Sequence, residues 1–333
     1  MTIARPLRAG LIGLGSMGRN HARMLDSLAG VDLAGVADPA GDPHRNAHGA
    51  PVFTSVSALI DNGLDYCVVA APTSLHEQIG TELAQAGVHM LVEKPVASDS
   101  AAAIGLAKIF DAAGLIGAVG HIERYNPALQ QLKARLANGD LGDIYQVATR
   151  RQGPFPARIA DVGVVFDLAT HDLDLTMWIT DQPFAAISAQ TSHKSGRQHE
   201  DLVAATGLLA DGTPTNHLVN WLSPMKERVT VVTGDKGTYV ADTLTADLTF
   251  HANGTVALDW EDIAHFRGMT EGDVVRYAFS KMEPLRREHE AFRDAVLGND
   301  SDIVTLQQGF AAVQVAESVI EAARTNRTVA LTS

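Results

Sequence analysis

Asp167, His171 and Asp174 stand four and three residues apart in the run Asp167-Leu168-Ala169-Thr170-His171-Asp172-Leu173-Asp174. On a helix, that spacing sets the three polar side chains on one face, while Leu168, Leu175 and Ile179 supply apolar contacts elsewhere. A histidine with a carboxylate one turn away suits general-base work near neutral pH, because the carboxylate orients the ring and supports the imidazolium. A solvated helix face is the plainer alternative. No metal is expected, since no Cys or further His lies at ligand spacing. A second reactive group comes from Glu93-Lys94-Pro95, at the C-terminal end of an expected strand. A residue before proline favours extended geometry, so Lys94 should project into the crevice where open parallel sheets bind ligands. That position separates it from an ordinary surface lysine.

Gly13-Leu14-Gly15-Ser16-Met17-Gly18 is a G-x-G-x-x-G element, which alone is any glycine-rich turn. Here it follows an expected strand and opens a helix, and Asp38 stands twenty residues after Gly18 at the end of the second strand. The first glycine permits a tight turn, the second lets backbone approach a pyrophosphate, and the third lets helix and strand pack closely. Helix N-terminal amides are then left for phosphate oxygens. Asp38 would accept the adenosine ribose hydroxyls and repel a 2′-phosphate, which favours NAD over NADP. Arg19 or Arg45 offers the counter-charge that a phosphate would need.

These groups need a scaffold, and 333 residues at about 150 per domain suggest two. A hydrophobic fraction of 46% against 20% charged excludes a disordered chain. The net charge of −13 would repel nucleic acid and an anionic membrane alike. Cys67 has no partner for an internal disulfide and reads as a buried small hydrophobe. Apolar runs fall short of the roughly 18 residues of a membrane helix, and Arg5 and Arg8 lead into a Gly-rich stretch instead of a signal-peptide core. A cytoplasmic location is the expectation.

Short apolar runs alternate with amphipathic ones through the first 120 residues, which predicts a doubly wound parallel sheet with flanking helices. Strands are expected at Leu7 to Leu14, Val31 to Ala37, Tyr66 to Ala71, Val88 to Val92 and Leu115 to Val119. Helices are expected at Asn20 to Leu28, Ser55 to Asp61, Leu75 to Ala86 and Ser100 to Ala113. After Gly120, a connecting helix over His121 to Ala137 should precede a strand over Ile144 to Arg151 and a helix over about Phe166 to Thr180. From Ala185 to Leu258, alternating runs at Ala204 to Leu209, Thr215 to Leu222, Val229 to Thr233 and Leu248 to His251 suggest an open, mainly antiparallel sheet. Pro284 suits the first turn of a helix to about Leu297, and a last helix spans about Thr305 to Arg324. The division expected is a doubly wound domain over 1–120 and a second α/β domain over 121–333.

The glycine motif, Glu93-Lys94-Pro95 and the Asp167-x-x-x-His171 helix, in this order across essentially the whole chain, resemble the glucose-fructose oxidoreductase/inositol dehydrogenase/MocA (Gfo/Idh/MocA) family. The resemblance implies a Rossmann domain over 1–120 followed by an α/β domain for substrate binding and oligomerisation over 121–333, with NAD(P)-dependent oxidation of a secondary alcohol on a sugar or cyclitol, in homodimers or homotetramers formed through the second sheet. It makes Lys94 the active-site lysine, with Asp167 and His171 handling the substrate proton. Gly13, Gly15, Ser16, Met17, Gly18 and Asp38 become cofactor contacts, joined by Glu93 and Lys94. Pro72 and Thr73 match the stretch beside the nicotinamide, and His76 is either a cofactor neighbour or a structural cap. Substrate contacts would come from Lys94, His121, Arg124, Asp167 and His171.

Three stretches, Gly120-His121-Ile122-Glu123-Arg124-Tyr125-Asn126-Pro127, Gly153-Pro154-Phe155-Pro156-Ala157-Arg158 and Glu271-Gly272-Asp273-Val274-Val275-Arg276-Tyr277, resemble the branch assigned as UDP-N-acetylglucosamine 3-dehydrogenases. A nucleotide-sugar diphosphate would need cations, for which Arg124, Arg151, Arg158, Lys226 and Arg228 are candidates. Trp221 either stacks on a base or belongs to the core. The implied chemistry has His171 removing the hydroxyl proton while hydride leaves for C4 of the nicotinamide and Lys94 hydrogen-bonds the same oxygen; Lys94 or His171 is the final proton acceptor. Alternatives are an inositol-type dehydrogenase, a glycosidase of the same fold that uses NAD transiently, and a regulator that only binds NAD.

Overall fold

The computed structural model describes residues 5–156, 162–254 and 270–331. It divides into two compact units, Met1–Ile122 with Glu283–Gln314, and Glu123–Met282 with Val315–Ser333. The segment Glu283–Gln314, placed by the sequence reading in the second domain, therefore packs with the first.

Six parallel strands build the sheet of the first unit: β1 (Leu7–Ile12), β2 (Val31–Ala37), β3 (Val52–Phe53), β4 (Tyr66–Val69), β5 (His89–Glu93) and β6 (Gly117–Gly120). Their order is β3-β2-β1-β4-β5-β6, which reverses direction between β1 and β4. That is the switch point at which such sheets bind ligands. Helices α1 (Gly18–Ser27), α2 (Val56–Asp61), α3 (His76–Gln85) and α4 (Ser100–Ala113) connect the strands. Tyr66–Val69 is buried throughout, as expected of a strand covered on both faces. Local chemistry sets the helix ends. Ser55 and Asp99 accept the N–H of Ala58 and Ala102 at the starts of α2 and α4, and Gly114 ends α4 in the left-handed region.

In the second unit the connecting helix is shorter than expected. A 3-10 turn covers Ile122–Tyr125, and α5 runs over Pro127–Ala137. Asn126, held extended by the following proline, breaks the helix and caps α5 through Ala128 N at 3.0 Å. Strand β7 (Ile144–Pro154) precedes a π-helical turn at Val165–Ala169, which continues into α6 (Thr170–Thr180). The remaining strands are β8 (Phe184–Ser192), β9 (Leu202–Leu209), β10 (Pro214–Asn220), β11 (Leu222–Gly234), β12 (Gly237–Asp242), β13 (Asp247–Gly254) and β14 (Thr270–Arg276). Helices α7 (Pro284–Val296) and α8 (Leu306–Thr325) and a short β15 (Val329–Ala330) follow.

The second sheet has the order β14-β13-β12-β11-β7-β10-β9-β8-β15 and is antiparallel except where β10 runs parallel to β7. The sequence reading passes over β8, β12 and β14, and its last expected stretch, toward Leu258, ends outside the described residues. β10 alternates buried Thr215, His217 and Val219 with exposed Pro214, Asn216 and Leu218, so one face is packed and one is bare. Leu173 of α6 and Val315 and Val319 of α8 pack with Ile187, Val203 and Val219. Leu175 and Ile179, on the other side of α6, pack with Leu129 and Leu132 of α5 and with Val147 and Val232. Among the described residues no helix is long and apolar enough to cross a membrane.

His217 lies inside this core, with Nδ1 2.8 Å from Thr149 Oγ1 and Nε2 3.1 Å from Thr215 Oγ1. Burial lowers its pKa from 6.5 to about 4. The unfolded chain takes up this proton below pH 6.5 and the folded chain does not, so the contribution to stability is complete above 6.5 and is lost as pH falls toward 4. The loss amounts to about 3 kcal/mol. Urea unfolding between pH 7 and pH 4 should show that slope, reduced in His217→Asn.

Candidate active site

The glycine loop sits at the switch point of the first sheet. Gly13 has φ +93°, and a Cβ there would stand 2.6 Å from the Ala70 carbonyl oxygen of the neighbouring chain segment. A Cβ on Gly18 would stand 1.9 Å from the Gly13 carbonyl oxygen, so the first turn of α1 closes on the loop only without a side chain. Gly15 is different: its missing side chain faces open space, on an exposed crest shared with Ser16. This is the cradle that backbone approach to a pyrophosphate requires. Met17, half-buried, precedes α1 and offers no side-chain cap, which leaves N-terminal amides for an anion. Asp38 joins the second strand to this loop, accepting Leu14 N at 2.8 Å on Oδ2 and Ala40 N at 2.8 Å on Oδ1. Each oxygen keeps a lone pair for ribose hydroxyls.

Two further strand ends meet the same edge. Pro72 is exposed and Thr73 half-buried in a 3-10 turn after β4. Lys94 is half-buried after β5, and its peptide bond to Pro95 is cis. His76 takes the structural alternative. It is 1% exposed, with Nδ1 3.0 Å from the Pro95 carbonyl and Nε2 3.0 Å from that of Ala71. Burial lowers its pKa, and a neutral ring donates to one of these carbonyls at a time, bracing the ends of β4 and β5 against each other. Glu93 also faces inward, accepting His21 at 2.9 Å and Lys94 N at 3.2 Å. Both side chains thus support the strand ends of this edge. His121, at the end of this segment, is 2% exposed.

The second unit holds Asp167 and His171, 7% and 9% exposed. They lie on one continuous helical segment, with Asp167 inside the π-helical turn and His171 in the first turn of α6. Glu200 starts that segment: its Oε1 accepts Val165 N at 3.0 Å, its backbone carbonyl accepts Val164 N at 3.0 Å, and its carboxylate occupies the space a side chain on Gly163 would need. The other acids of α6 are matched by buried cations. Arg124 forks onto Asp174 at 2.9 and 2.6 Å. Arg151, 3% exposed, donates to Asp172 at 3.1 and 3.2 Å and to Glu123 at 3.0 Å, and Arg228 adds a 3.1 Å bond to the same Glu123 oxygen. Burial pushes the Asp172 carboxyl upward against the pull of Arg151. Glu123 feels the same push, yet Arg151 and Arg228 together hold it below its ordinary value. Arg124 and Arg151 are thus committed to carboxylates and withdrawn from the cations expected to meet a diphosphate. Lys226 is exposed and Arg228 about one-third exposed, while Arg158 lies outside the described residues. Trp221, 4% exposed against Phe155 and Arg197, belongs to the core.

Residues 7–121 match the family described as oxidoreductase family, NAD-binding Rossmann fold, and residues 129–240 match the GFO/IDH/MocA C-terminal domain. The chain belongs to the Gfo/Idh/MocA family. A UDP-N-acetylglucosamine 3-dehydrogenase of Acidithiobacillus ferrooxidans is 36% identical over 179 residues, 52% of this chain and 54% of the relative. Inositol 2-dehydrogenase 2 of Saccharopolyspora erythraea is 29% identical over 203 residues, 59% of this chain and 60% of the relative. The chain thus spans a little over half the length of these curated relatives. The solved structure of the Acidithiobacillus enzyme, GnnA, superposes with a TM-score of 0.82 at 26% identity, covering 96% of this chain and 98% of that one. The WlbA dehydrogenase of Bordetella pertussis, solved with NADH and UDP-GlcNAcA, shares the fold with a TM-score of 0.81 at 23% identity over 99% and 100% of the two chains.

Of the Gfo/Idh/MocA residues expected from sequence, the structure gathers Gly13, Gly15, Ser16, Met17, Gly18 and Asp38 at one sheet edge of the first unit and places Arg124, Asp167 and His171 in the second. Sequence reasoning missed Glu123, Asp172 and Glu200. Their partners lie 21 to 105 residues away, so no local spacing signals them. Two outcomes check this geometry. Gly18→Ala should weaken NADH binding about tenfold or more, read by fluorescence titration. Arg151→Leu strands buried carboxylates and should cost about 3–5 kcal/mol in urea unfolding.

Proposed function

We propose that this chain is an NAD-dependent dehydrogenase acting on a secondary hydroxyl of a sugar, nucleotide sugar or cyclitol, with C3 of a nucleotide sugar as the first choice. One observation carries the reading. In addition to a dinucleotide loop, the chain keeps Lys94 at the carboxyl edge of the first sheet and, in the second unit, Asp167 with His171 on a shielded helix, and binding NAD needs none of the three. The relatives named for UDP-N-acetylglucosamine and inositol support the substrate class.

NAD, when bound, supplies the acceptor for the two electrons that leave the carbinol carbon. The chain's own residues do the rest. Loop amides and the uncapped start of α1 hold the pyrophosphate, and Asp38 holds ribose hydroxyls. His171 takes the hydroxyl proton and Asp167 orients the ring. Lys94 donates to the same oxygen and stabilises its developing negative charge. The burial of His171 and Asp167 keeps water from competing for that proton. Lys226 and Arg228 are the cations open to a diphosphate. The bare sheet face, with Leu208 and Leu218 exposed, suits a second copy of the chain, and the reading places the enzyme in the cytoplasm.

UDP-sugars, inositols and free aldoses offered with NAD test the reading: a substrate should raise the NADH absorbance. Transient oxidation in a glycosidase would cleave the sugar without that rise, and silence across the panel would leave a binding protein. With the active substrate, Lys94→Ala and His171→Ala should each lower kcat by about 10² to 10⁴ while NADH still binds. Near-normal turnover in both would refute the assignment.

A further inference from the structure

The end of β5 hides a line of titratable groups that the chemistry above leaves without a task. Glu93 Oε1 is 2.9 Å from His21 Nε2, and His21 Nδ1 is 2.8 Å from Nε2 of His289 on α7. The other Glu93 oxygen accepts the backbone N–H of Lys94 at 3.2 Å. His21, His289 and the adjacent Glu288 are no more than 1% exposed. All belong to the first unit, although 268 residues separate the two histidines in sequence.

The protons in this line can be assigned. Burial pushes Glu93 upward, but the hydrogen bond from His21, with the Lys94 charge behind it, holds it below the ordinary glutamate value. It is a carboxylate at neutral pH and only accepts, so His21 donates from Nε2. Burial keeps His289 well below the ordinary histidine value and therefore neutral. Were His21 an imidazolium, it would also donate from Nδ1, and His289 would carry its proton on Nδ1. That atom is buried and meets no hydrogen-bond partner among the described residues, and an orphaned N–H is costlier there than a bare lone pair. The consistent assignment has His289 donating from Nε2 to a bare Nδ1 on His21. Glu288, whose oxygens also meet no partner, is kept protonated by burial and by the Glu93 charge. Lys94 and His76 are the other titratable groups that Glu93 feels or acts upon, so the buried line carries its negative charge on Glu93.

We propose that His21 and His289 are positioning residues for Lys94: Glu93 fixes the tautomer of His21, His289 seats that ring by donating to its Nδ1, and His21 pins the carboxylate that holds the Lys94 backbone. This rests on the reading of Lys94 as the group that meets the substrate oxygen. His289→Gln keeps an N–H where Nε2 stood, whereas His289→Leu removes it; His289→Met replaces the leucine variant should that one not fold. Nitrogen-15 NMR of the imidazole rings in cofactor-free protein reads both the tautomer and the hydrogen bond at Nδ1. His21 should carry its proton on Nε2 in all three proteins, and its Nδ1 resonance should match between wild type and His289→Gln but move to that of a lone pair without a hydrogen bond in the apolar variant. With a substrate that the wild type oxidises, the apolar variant should lose about tenfold or more in kcat, with NADH affinity held within about twofold and His289→Gln recovering most of the rate. An unchanged Nδ1 resonance in the apolar variant, or equal losses in both variants, overturns the proposal. A wild type that oxidises no alcohol overturns the reading of Lys94 instead, and the ring-nitrogen spectra still decide whether the line exists.

Discussion

Burying charge is the constraint on which the second unit is built. Helix α6 presents Asp172 and Asp174 to an interior where an unpaired carboxylate would not survive ionised, and Arg151 and Arg124 answer them from β7 and from the turn before α5. Those cations cannot be exchanged for lysines without losing the fork that meets both carboxylate oxygens of Asp174. Once the ion pairs are made, the helix has little freedom to turn about its axis. His171 and Asp167 are carried by the same segment, so their orientation is inherited from salt bridges one turn away. The π-helical turn at Val165–Ala169 belongs to this logic, since such turns re-aim side chains where a regular helix would not.

The first unit solves a different problem, close approach of backbone to backbone. Gly13 and Gly18 are tight because the Ala70 and Gly13 carbonyls lie where side chains would be, whereas Gly15 looks onto open space. A loop drawn closed at its two ends and left free at its middle is what a pyrophosphate needs. Asp38 ties that loop to the second strand through Leu14 N.

How much of this could be read in the sequence depends on whether the deciding contact is local. The Rossmann strands and helices were legible because period and glycine spacing act within a few residues, and Ser100–Ala113 coincides with its expected helix, bounded by Asp99 and Gly114. The 3-10 turn before Pro127 was legible in principle from the proline alone. Arg124 and Arg151 misled because a cation's sequence neighbours do not disclose a carboxylate 50 or 21 residues further on. His76 was ambiguous for a similar reason: whether an imidazole at a helix start caps, binds or braces depends on the Pro95 carbonyl, 19 residues away. The parallel pairing of β10 with β7, at His217 opposite Thr149, is likewise fixed by register across the sheet and not by alternation within a strand.

The return of Glu283–Gln314 to the first unit bears on how the protein is made. A nascent chain that has released only residues 1–122 from the ribosome lacks Phe292 to pack edge-on against Tyr66 at 5.4 Å, and lacks the Val304 carbonyl and Thr305 bridge that complete the edge strand at Ala118 and Val119. The nucleotide half is begun first and finished last, so its maturation waits on the emergence of almost the entire polypeptide.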